Sequence, residues 1–360
     1  MRPVFHTLTI ANIDRLGDFA IAVRFAVPEE LRAAFKFAPG QYLTLRATIE
    51  GHDVRRPYSI CTAPFEDEIG VGIKLVEGGL FSQYALREFV VGDQIQVMTP
   101  QGRFTYLPDA QYEDILLLAA GSGITPILSI ARTALEDQPD MNVTLIYGNR
   151  NAASIMFRAA VEDLKDQFLG RLRLIHILSR EQRDIALLNG RVDGAKIDAL
   201  VAAGLVVPET TNAAYLCGPD SMISECLDAL TASGLNEDSI FFERFTPAGD
   251  AGLREAPTSK SSMALTPTNQ VEVMLDGATQ RFGINPLAET VLSAGQRAGL
   301  ELPYSCAAGM CCTCRCKVVE GSVRMDANFS LEEWEIEAGF VLSCQARPET
   351  EHLIVDFDAQ

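Results

Sequence analysis

Four cysteines constrain this 360-residue chain more than any other feature. Cys306, Cys311, Cys314 and Cys344 are spaced C-x4-C-x2-C-x29-C. That spacing suits a [2Fe–2S] cluster, whose two irons need four thiolates. The loop Cys306-Ala-Ala-Gly-Met-Cys-Cys-Thr-Cys314 supplies three of them from one turn. Gly309 and its small neighbours let the backbone approach the inorganic sulfides and donate N–H bonds to them. A zinc ribbon is the competing reading, but it pairs two C-x2-C knuckles and only one lies among these ligands. Cys312 and Cys316 should point away from the cluster, because alternate residues of an extended chain face opposite ways. Cys61 and Cys226 read as small core residues.

Charge and histidine content exclude other chemistries. There are 48 Asp and Glu against 30 Lys and Arg, a formal net charge of −18. Such acidity argues against nucleic acid or an anionic membrane surface as partner. No run approaches the ~18 apolar residues that a membrane span needs. The first residues show no signal-type apolar core, so a reducing cytoplasm is expected rather than a disulfide framework. Only His6, His52, His176 and His352 occur. That leaves no His pair for a Rieske centre and no paired Glu-x-x-His motifs for a di-iron bundle. The chain is therefore not expected to be an oxygen-activating enzyme itself.

Patterning divides the chain at 1–108, 109–247, a linker at 248–268, and 269–360. The first part alternates in short runs, Phe19–Phe25, Tyr42–Arg46, Val71–Val76 and Gln94–Met98, as in a small antiparallel barrel. From Asp114 the pattern changes. Ile115–Ala120 is a continuous apolar run, as in a buried parallel strand. Strands at 143–147, 172–178, 214–217 and 239–242 follow, with helices at 127–135, 156–168 and 221–232, which predicts a doubly wound α/β layer. Residues 246–268 are rich in Pro, Ser, Thr, Ala and Gly without period.

Two motif series fall on these layers. Arg56-Pro57-Tyr58-Ser59 ends a β-run, and Gly78-Gly79-Leu80-Phe81-Ser82 is a glycine turn entering a helix. Arg suits a pyrophosphate, Tyr a stacked ring, Ser a ring edge, and helix-start amides a second phosphate. Two phosphate-binding elements favour FAD over FMN. Lys74, just before this turn, joins the candidate cofactor-binding residues. Gly121-Ser-Gly123-Ile-Thr125-Pro126 follows the apolar strand and opens a helix. There the first glycine would make the turn and the second admit a pyrophosphate. R-P-Y-S alone is weak, and a plain strand–helix turn would also explain G-S-G-I-T-P alone.

In order, these signals resemble the ferredoxin–NADP⁺ reductase family. Its series continues here through Tyr147-Gly-Asn-Arg150, Cys217-Gly218-Pro219 and Glu243-Arg-Phe245. The resemblance implies that Arg56, Tyr58 and Ser59 hold the flavin, with Ser59 near its reactive nitrogen. Cys217 would face the nicotinamide, Glu243 would hydrogen-bond beside it, and Phe245 would cover the flavin. Ser179-Arg180 ends the third strand of the layer, where NADPH-dependent members hold the 2′-phosphate. An arginine favours a phosphate there, although Glu181 beside it blurs the choice against NADH and Arg180 could equally be a solvated loop residue.

The last segment resembles plant-type ferredoxin domains of β-grasp α+β fold. Leu331–Cys344 looks like the helix and strand that return the fourth ligand, and Leu353–Phe357 like a strand closing the sheet. The full order resembles the reductase components of multicomponent oxygenases. Arg56–Cys61, Ile146–Arg150 and Gly339–Gln345 are similar to the branch serving di-iron epoxidases of phenylacetyl-CoA. That resemblance implies NADPH, FAD and the cluster acting in turn, the flavin splitting an electron pair for a separate oxygenase. Two alternatives remain open: the reductase of an aromatic-ring or other Rieske-type oxygenase or demethylase, and a non-enzymatic redox sensor. Residues 269–360 hold 14 Asp or Glu against 6 Lys or Arg, a net of −8. This acidic segment is expected to dock on a basic patch of the oxygenase.

Overall fold

The computed structural model describes residues 4–106, 112–245 and 267–359. It parts into two compact units, one holding the two N-terminal layers apart from Arg55–Pro57 and one holding the C-terminal segment with Arg55–Pro57. The expected boundary at 108/109 and nearly all of the 248–268 linker lie outside the described residues.

The first layer is built from β1 (Phe5–Arg15), β2 (Ala20–Ala26), β3 (Tyr42–Ile49), β4 (His52–Ser59), β5 (Ile69–Lys74), α1 (Leu80–Glu88) and β6 (Gln94–Met98). The strands run in the order β4-β3-β6-β1-β2-β5. Ile60, just past β4, bridges to Val71 on β5, so the curled sheet meets itself. Its inward residues, among them Leu8, Ile10, Val23, Leu43 and Leu45, are fully buried. This is the expected antiparallel barrel.

The second layer comprises β7 (Asp114–Ala120), α2 (Ile124–Asp137), β8 (Asn142–Asn149), α3 (Arg158–Gln167), β9 (Leu172–Leu178), α4 (Gly194–Ala202), β10 (Ala213–Gly218), α5 (Asp220–Ala232) and β11 (Ile240–Arg244). All its strand pairs are parallel, in the order β11-β10-β7-β8-β9. The apolar run of β7 serves both faces in turn. Ile115, Leu117 and Ala119 join the core under α2 and α3, while Leu116 and Leu118 join the core under α4 and α5. Helix α4 has no counterpart in the sequence reading. Its nine residues begin with glycine and carry little periodicity, and Asp193 caps it by accepting from the Lys196 amide at 2.9 Å.

Barrel and α/β layer share a core, because Ala20, Ala22, Cys61, Phe104 and Tyr106 pack into the cluster built on α2 and β7. Gly72 of β5 matters here. A Cβ at that position would stand 2.5 Å from the Thr125 methyl at the start of α2.

The C-terminal unit has β12 (Asn269–Leu275), β13 (Ala278–Ile284), α6 (Val291–Arg297), β14 (Arg315–Glu320), β15 (Val323–Met325), α7 (Glu333–Glu337), β16 (Phe340–Leu342), β17 (Ala346–Pro348) and β18 (His352–Asp356). The main sheet runs β13-β12-β18-β14-β16, a mixed sheet of β-grasp type. The last strand joins the sheet, as expected. It lies centrally, parallel to β12 and antiparallel to β14, because its alternating Leu353 and Val355 are wanted in the core.

Candidate functional site

Parallel pairing puts the carboxyl ends of β7 to β11 on one edge of the sheet. The order reverses between β7 and β10, so their ends open a crevice, the position where such sheets take ligands. The predicted residues gather along this edge: Gly121–Pro126 after β7, Arg150 after β8, Ser179 and Arg180 after β9, Cys217–Pro219 at the end of β10, Glu243 on β11 and Phe245 just after it.

Gly121 turns the chain with φ +56°, as expected. Gly123 has a steric reason besides the one expected. Its φ is an ordinary −60°, but a Cβ there would lie 2.1 Å from the Cys217 carbonyl oxygen. The second glycine therefore lets the phosphate turn seat against the end of β10. Gly218 is likewise held bare, since a Cβ would meet the Met222 methyl at 2.6 Å. Tyr147 underpins the turn by donating its hydroxyl to the Gly121 carbonyl at 3.0 Å. Thr125 and Pro126 are buried in the first turn of α2, and the Thr125 hydroxyl donates to the Ser122 carbonyl at 3.0 Å.

Lys74, at the end of β5, reaches the same turn, for a Cβ on Gly121 would be 3.2 Å from its Nζ. Burial, together with the Arg150 cation, holds Lys74 below the usual lysine range. Two cations beside a glycine turn and a helix start fit the chemistry of a dinucleotide pyrophosphate. At the next strand end, the Arg180 amide donates to the Arg150 carbonyl at 2.7 Å, and the Ser179 hydroxyl donates to the Asn149 carbonyl at 3.3 Å. Glu181 is turned away, accepting from the Ala152 amide at 2.7 Å.

The three predicted catalytic residues come from three separate elements and meet. The Ser59 hydroxyl, buried at the end of β4, donates to Glu243 Oε2 at 3.1 Å. Glu243 pairs in register with Cys217 across β10 and β11. Burial, with Glu243 adding to it, pushes the Cys217 thiol well up, so this buried sulfur is a neutral thiol rather than a thiolate nucleophile. Phe245 follows directly, its amide donating to the Gly218 carbonyl at 2.9 Å.

For the flavin, Arg56 and Tyr58 sit two apart on β4 and so share a face. Pro57 between them donates nothing to the ladder. The Tyr58 ring packs on Phe81 at a centroid distance of 5.7 Å, and Phe81 is wedged against Tyr84 and Phe89. Gly79 caps α1 with no side-chain hydrogen bond, and a Cβ there would stand 2.8 Å from Ser82 Oγ. Only a bare backbone fits this turn, and Leu80, Phe81 and Ser82 then present first-turn amides to an anion. The residues present fit a flavin phosphate.

In the C-terminal unit the four predicted thiols converge, Cys306 lying beside Cys311 and Cys314 beside Cys344. In each pair the close contact of the two sulfurs pushes one thiol up and pulls the other down. Among the described residues no three His, Cys, Asp or Glu side chains close round a single-ion position. Two pairs suit two irons. The Ala308 and Met310 amides donate to Cys306 Sγ at 3.3 and 3.4 Å, and the Cys306 amide to Cys311 Sγ at 3.4 Å. Cys312 Sγ turns away to the Ser330 carbonyl at 3.3 Å, and Cys316 is buried in the core.

Comparisons with known proteins identify the domains. Residues 8–106 match an oxidoreductase FAD-binding domain, 117–228 an oxidoreductase NAD-binding domain, and 273–349 a 2Fe-2S iron-sulfur cluster binding domain. Over 357 residues the chain is 43% identical to a subunit of the 1,2-phenylacetyl-CoA epoxidase of Escherichia coli (strain K12), covering 99% of this chain and 98% of that protein. It is also 34% identical over 353 residues to the 3-ketosteroid-9-alpha-monooxygenase ferredoxin reductase component of Rhodococcus rhodochrous, covering 97% and 96%. The chain belongs to the oxygenase reductases. Phthalate dioxygenase reductase shares the fold of this oxygenase reductase, with a TM-score of 0.61 at 19% identity over 98% of both chains.

The sequence reading of the oxygenase reductase missed a seam beside these sites. Ser129 of α2 donates to the Thr62 carbonyl at 2.7 Å, and Arg132 Nη1 donates to Glu66 Oε1 at 2.8 Å. Glu66 also accepts from the Ala63 amide at 2.7 Å and lies 3.6 Å from Arg24. Residues 62–66 follow the flavin strand, and α2 starts at the phosphate turn, so this seam ties the two cofactor sites together. Ser129 and Arg132 look like ordinary helix residues in sequence, and no local pattern marks their partners 66 or more residues away. Among the described residues no helix is long and apolar enough to cross a membrane.

Proposed function

We propose that this oxygenase reductase draws electrons from NADPH and delivers them singly to a separate di-iron epoxidase that acts on phenylacetyl-CoA. The 43% identity over the full chain to an epoxidase subunit supports that partner. The convergence of Ser59, Cys217 and Glu243 at the sheet crevice supports the reductive half. When bound, the flavin accepts an electron pair from the nicotinamide and the cluster passes electrons on one at a time. The chain itself supplies position. Lys74, Arg150 and the Gly121–Gly123 turn hold the pyrophosphate, Cys217 packs against the nicotinamide, and Ser59 with Glu243 fixes the polar edge where the two rings meet.

NADPH is preferred over NADH because Arg180 stands exposed where the ribose would lie while the Glu181 carboxylate is taken up by the Ala152 amide. The partner docks on the acidic cluster-bearing segment. Helix α7 exposes Trp334, and Glu332, Glu333 and Glu337 surround it. This face suits a basic surface with an apolar centre.

An anaerobic titration with NADPH and with NADH tests the reading. Bleaching of the flavin followed by cluster reduction is expected at lower NADPH than NADH, and failure with both nucleotides overturns it. Arg180→Ala should weaken NADPH more than NADH, and equal loss would refute the 2′-phosphate contact. Reconstitution with the epoxidase component decides the partner, and the rate should fall as salt rises. The 34% identity to a steroid monooxygenase reductase favours a second reading, service to a monooxygenase of another substrate class. Turnover with such a component, and none with the epoxidase, would establish it.

A further inference from the structure

Gln345 follows the fourth cluster ligand and makes two contacts with one amide nitrogen. Its Nε2 lies 3.2 Å from the Ala307 carbonyl oxygen and 3.6 Å from Cys344 Sγ. The first contact settles which end of the amide points inward, since an amide oxygen there would face a carbonyl oxygen. An NH2 group has two protons, one for each acceptor. The side chain therefore spans from the returning strand to the loop that carries the other three ligands.

The loop is shaped around this side chain. Gly309 adopts φ +77°, and a Cβ on it would stand 3.3 Å from Gln345 Cγ and 3.1 Å from the Ala327 carbonyl oxygen. The backbone of residue 345 is pinned as well. Its amide donates to the Leu342 carbonyl at 2.8 Å, and its carbonyl accepts from the Asp326 amide at 3.0 Å. Cys306 receives its N–H bonds from backbone amides, which no substitution removes cleanly. The donor to Cys344 is a side chain, and so can be removed.

We propose that Gln345 sets the electron affinity of the [2Fe–2S] cluster by donating a hydrogen bond to the Cys344 sulfur, and that its bond to Ala307 holds the donor in place. An electron added to the cluster increases negative charge on the ligand sulfurs. An N–H donor then stabilises the reduced form more than the oxidised form. Gln345 thereby favours electron transfer from flavin to cluster. This function rests on a residue outside the four-cysteine pattern, in the place where the chain re-enters the cluster loop.

Gln345→Met tests this, because it keeps the length and removes the donor. The readout is the cluster's redox equilibrium against a reference dye in the full-length, cluster-loaded protein, followed by electron paramagnetic resonance. The equilibrium constant for cluster reduction should fall by roughly three- to tenfold, the scale of one ordinary net hydrogen bond. Flavin reduction by NADPH should not change. The Fe–S(Cys) resonance Raman bands should shift less in D2O than those of the unsubstituted protein. An unchanged equilibrium and unchanged D2O shift, with the cluster intact, would overturn the proposal. A second measurement covers the case in which the variant fails to hold its cluster. In unsubstituted protein carrying 15N in glutamine side chains, pulsed resonance of the reduced cluster should detect a coupled amide nitrogen. Absence of that coupling overturns the proposal without any variant.

Discussion

Gly123→Ala sets two physical effects against each other. Gly123 has φ −60° and ψ −10°, a right-handed helical geometry that alanine adopts freely. Propensity and unfolded-state entropy alone would make the substitution stabilising by about 0.5–1 kcal/mol. The packing predicts the reverse. The new Cβ would sit 2.1 Å from the Cys217 carbonyl oxygen, 2.6 Å from its carbon and 3.1 Å from the Gly218 nitrogen. These are backbone atoms, so no side chain can swing aside, and relief needs a backbone shift of about 1 Å to reach ordinary contact. Overpacking of this kind costs about 1–3 kcal/mol, which exceeds the propensity gain. A net loss near 1–2 kcal/mol corresponds to a fall in melting temperature of about 2–8 °C for a unit of this size. The catalytic effect should be larger. The displaced atoms belong to the phosphate turn and to the end of β10, and a 1 Å error in the placement of reacting groups costs about a hundredfold. Stopped-flow flavin reduction by NADPH, with thermal unfolding of the same preparation, measures both. A variant as stable as the parent or more so, with an unchanged reduction rate, would refute the argument.

Other substitutions test other parts. Glu66→Gln removes the charge that Arg132 and Arg24 share, which should cost about 1–3 kcal/mol because the partly buried Arg132 guanidinium loses its carboxylate at 2.8 Å and Arg24 keeps only Asp14 at 3.9 Å; slower flavin reduction with unchanged flavin content would show that the seam positions the cofactors, and a melting temperature equal to the parent's would refute it. Cys311→Ser should keep flavin reduction by NADPH and lose the cluster signal and onward electron delivery, and loss of both halves would contradict two separate units. Lys74 loses its charge as pH rises through a value held below 10.5 by burial and Arg150. The KM for the dinucleotide should therefore climb on the alkaline side and stay flat over the same range in Lys74→Arg. The sign for folding is opposite to that of a paired lysine. The depressed group costs stability below its folded pKa, and the cost disappears as pH passes the unfolded value.

The cluster ligands, the layer order and most elements are legible in the chain. Cys306, Cys311 and Cys314 lie within nine residues, and the β7 run alternates between two buried faces, so both features are local and periodic. The flavin and nucleotide motifs are likewise short and contiguous. Helix α4 is not legible, because nine residues starting at a glycine carry too little periodicity. The central place of β18 is hidden too, because strand order is a property of pairing, and Leu353 and Val355 would read the same at an edge.

The chain's order of residues dictates the inventory of groups and the elements that carry them. Which of those groups meet is settled by packing in three dimensions. Ser59 and Glu243 are 184 positions apart and share a 3.1 Å hydrogen bond. Gly123 owes its identity to a carbonyl 94 positions later. Gln345 gains its role from Ala307, 38 positions earlier. Local propensity and short motifs act over a few residues, whereas sheet closure and core packing bring distant backbone together at ångström precision, and neither leaves a periodic trace in the chain.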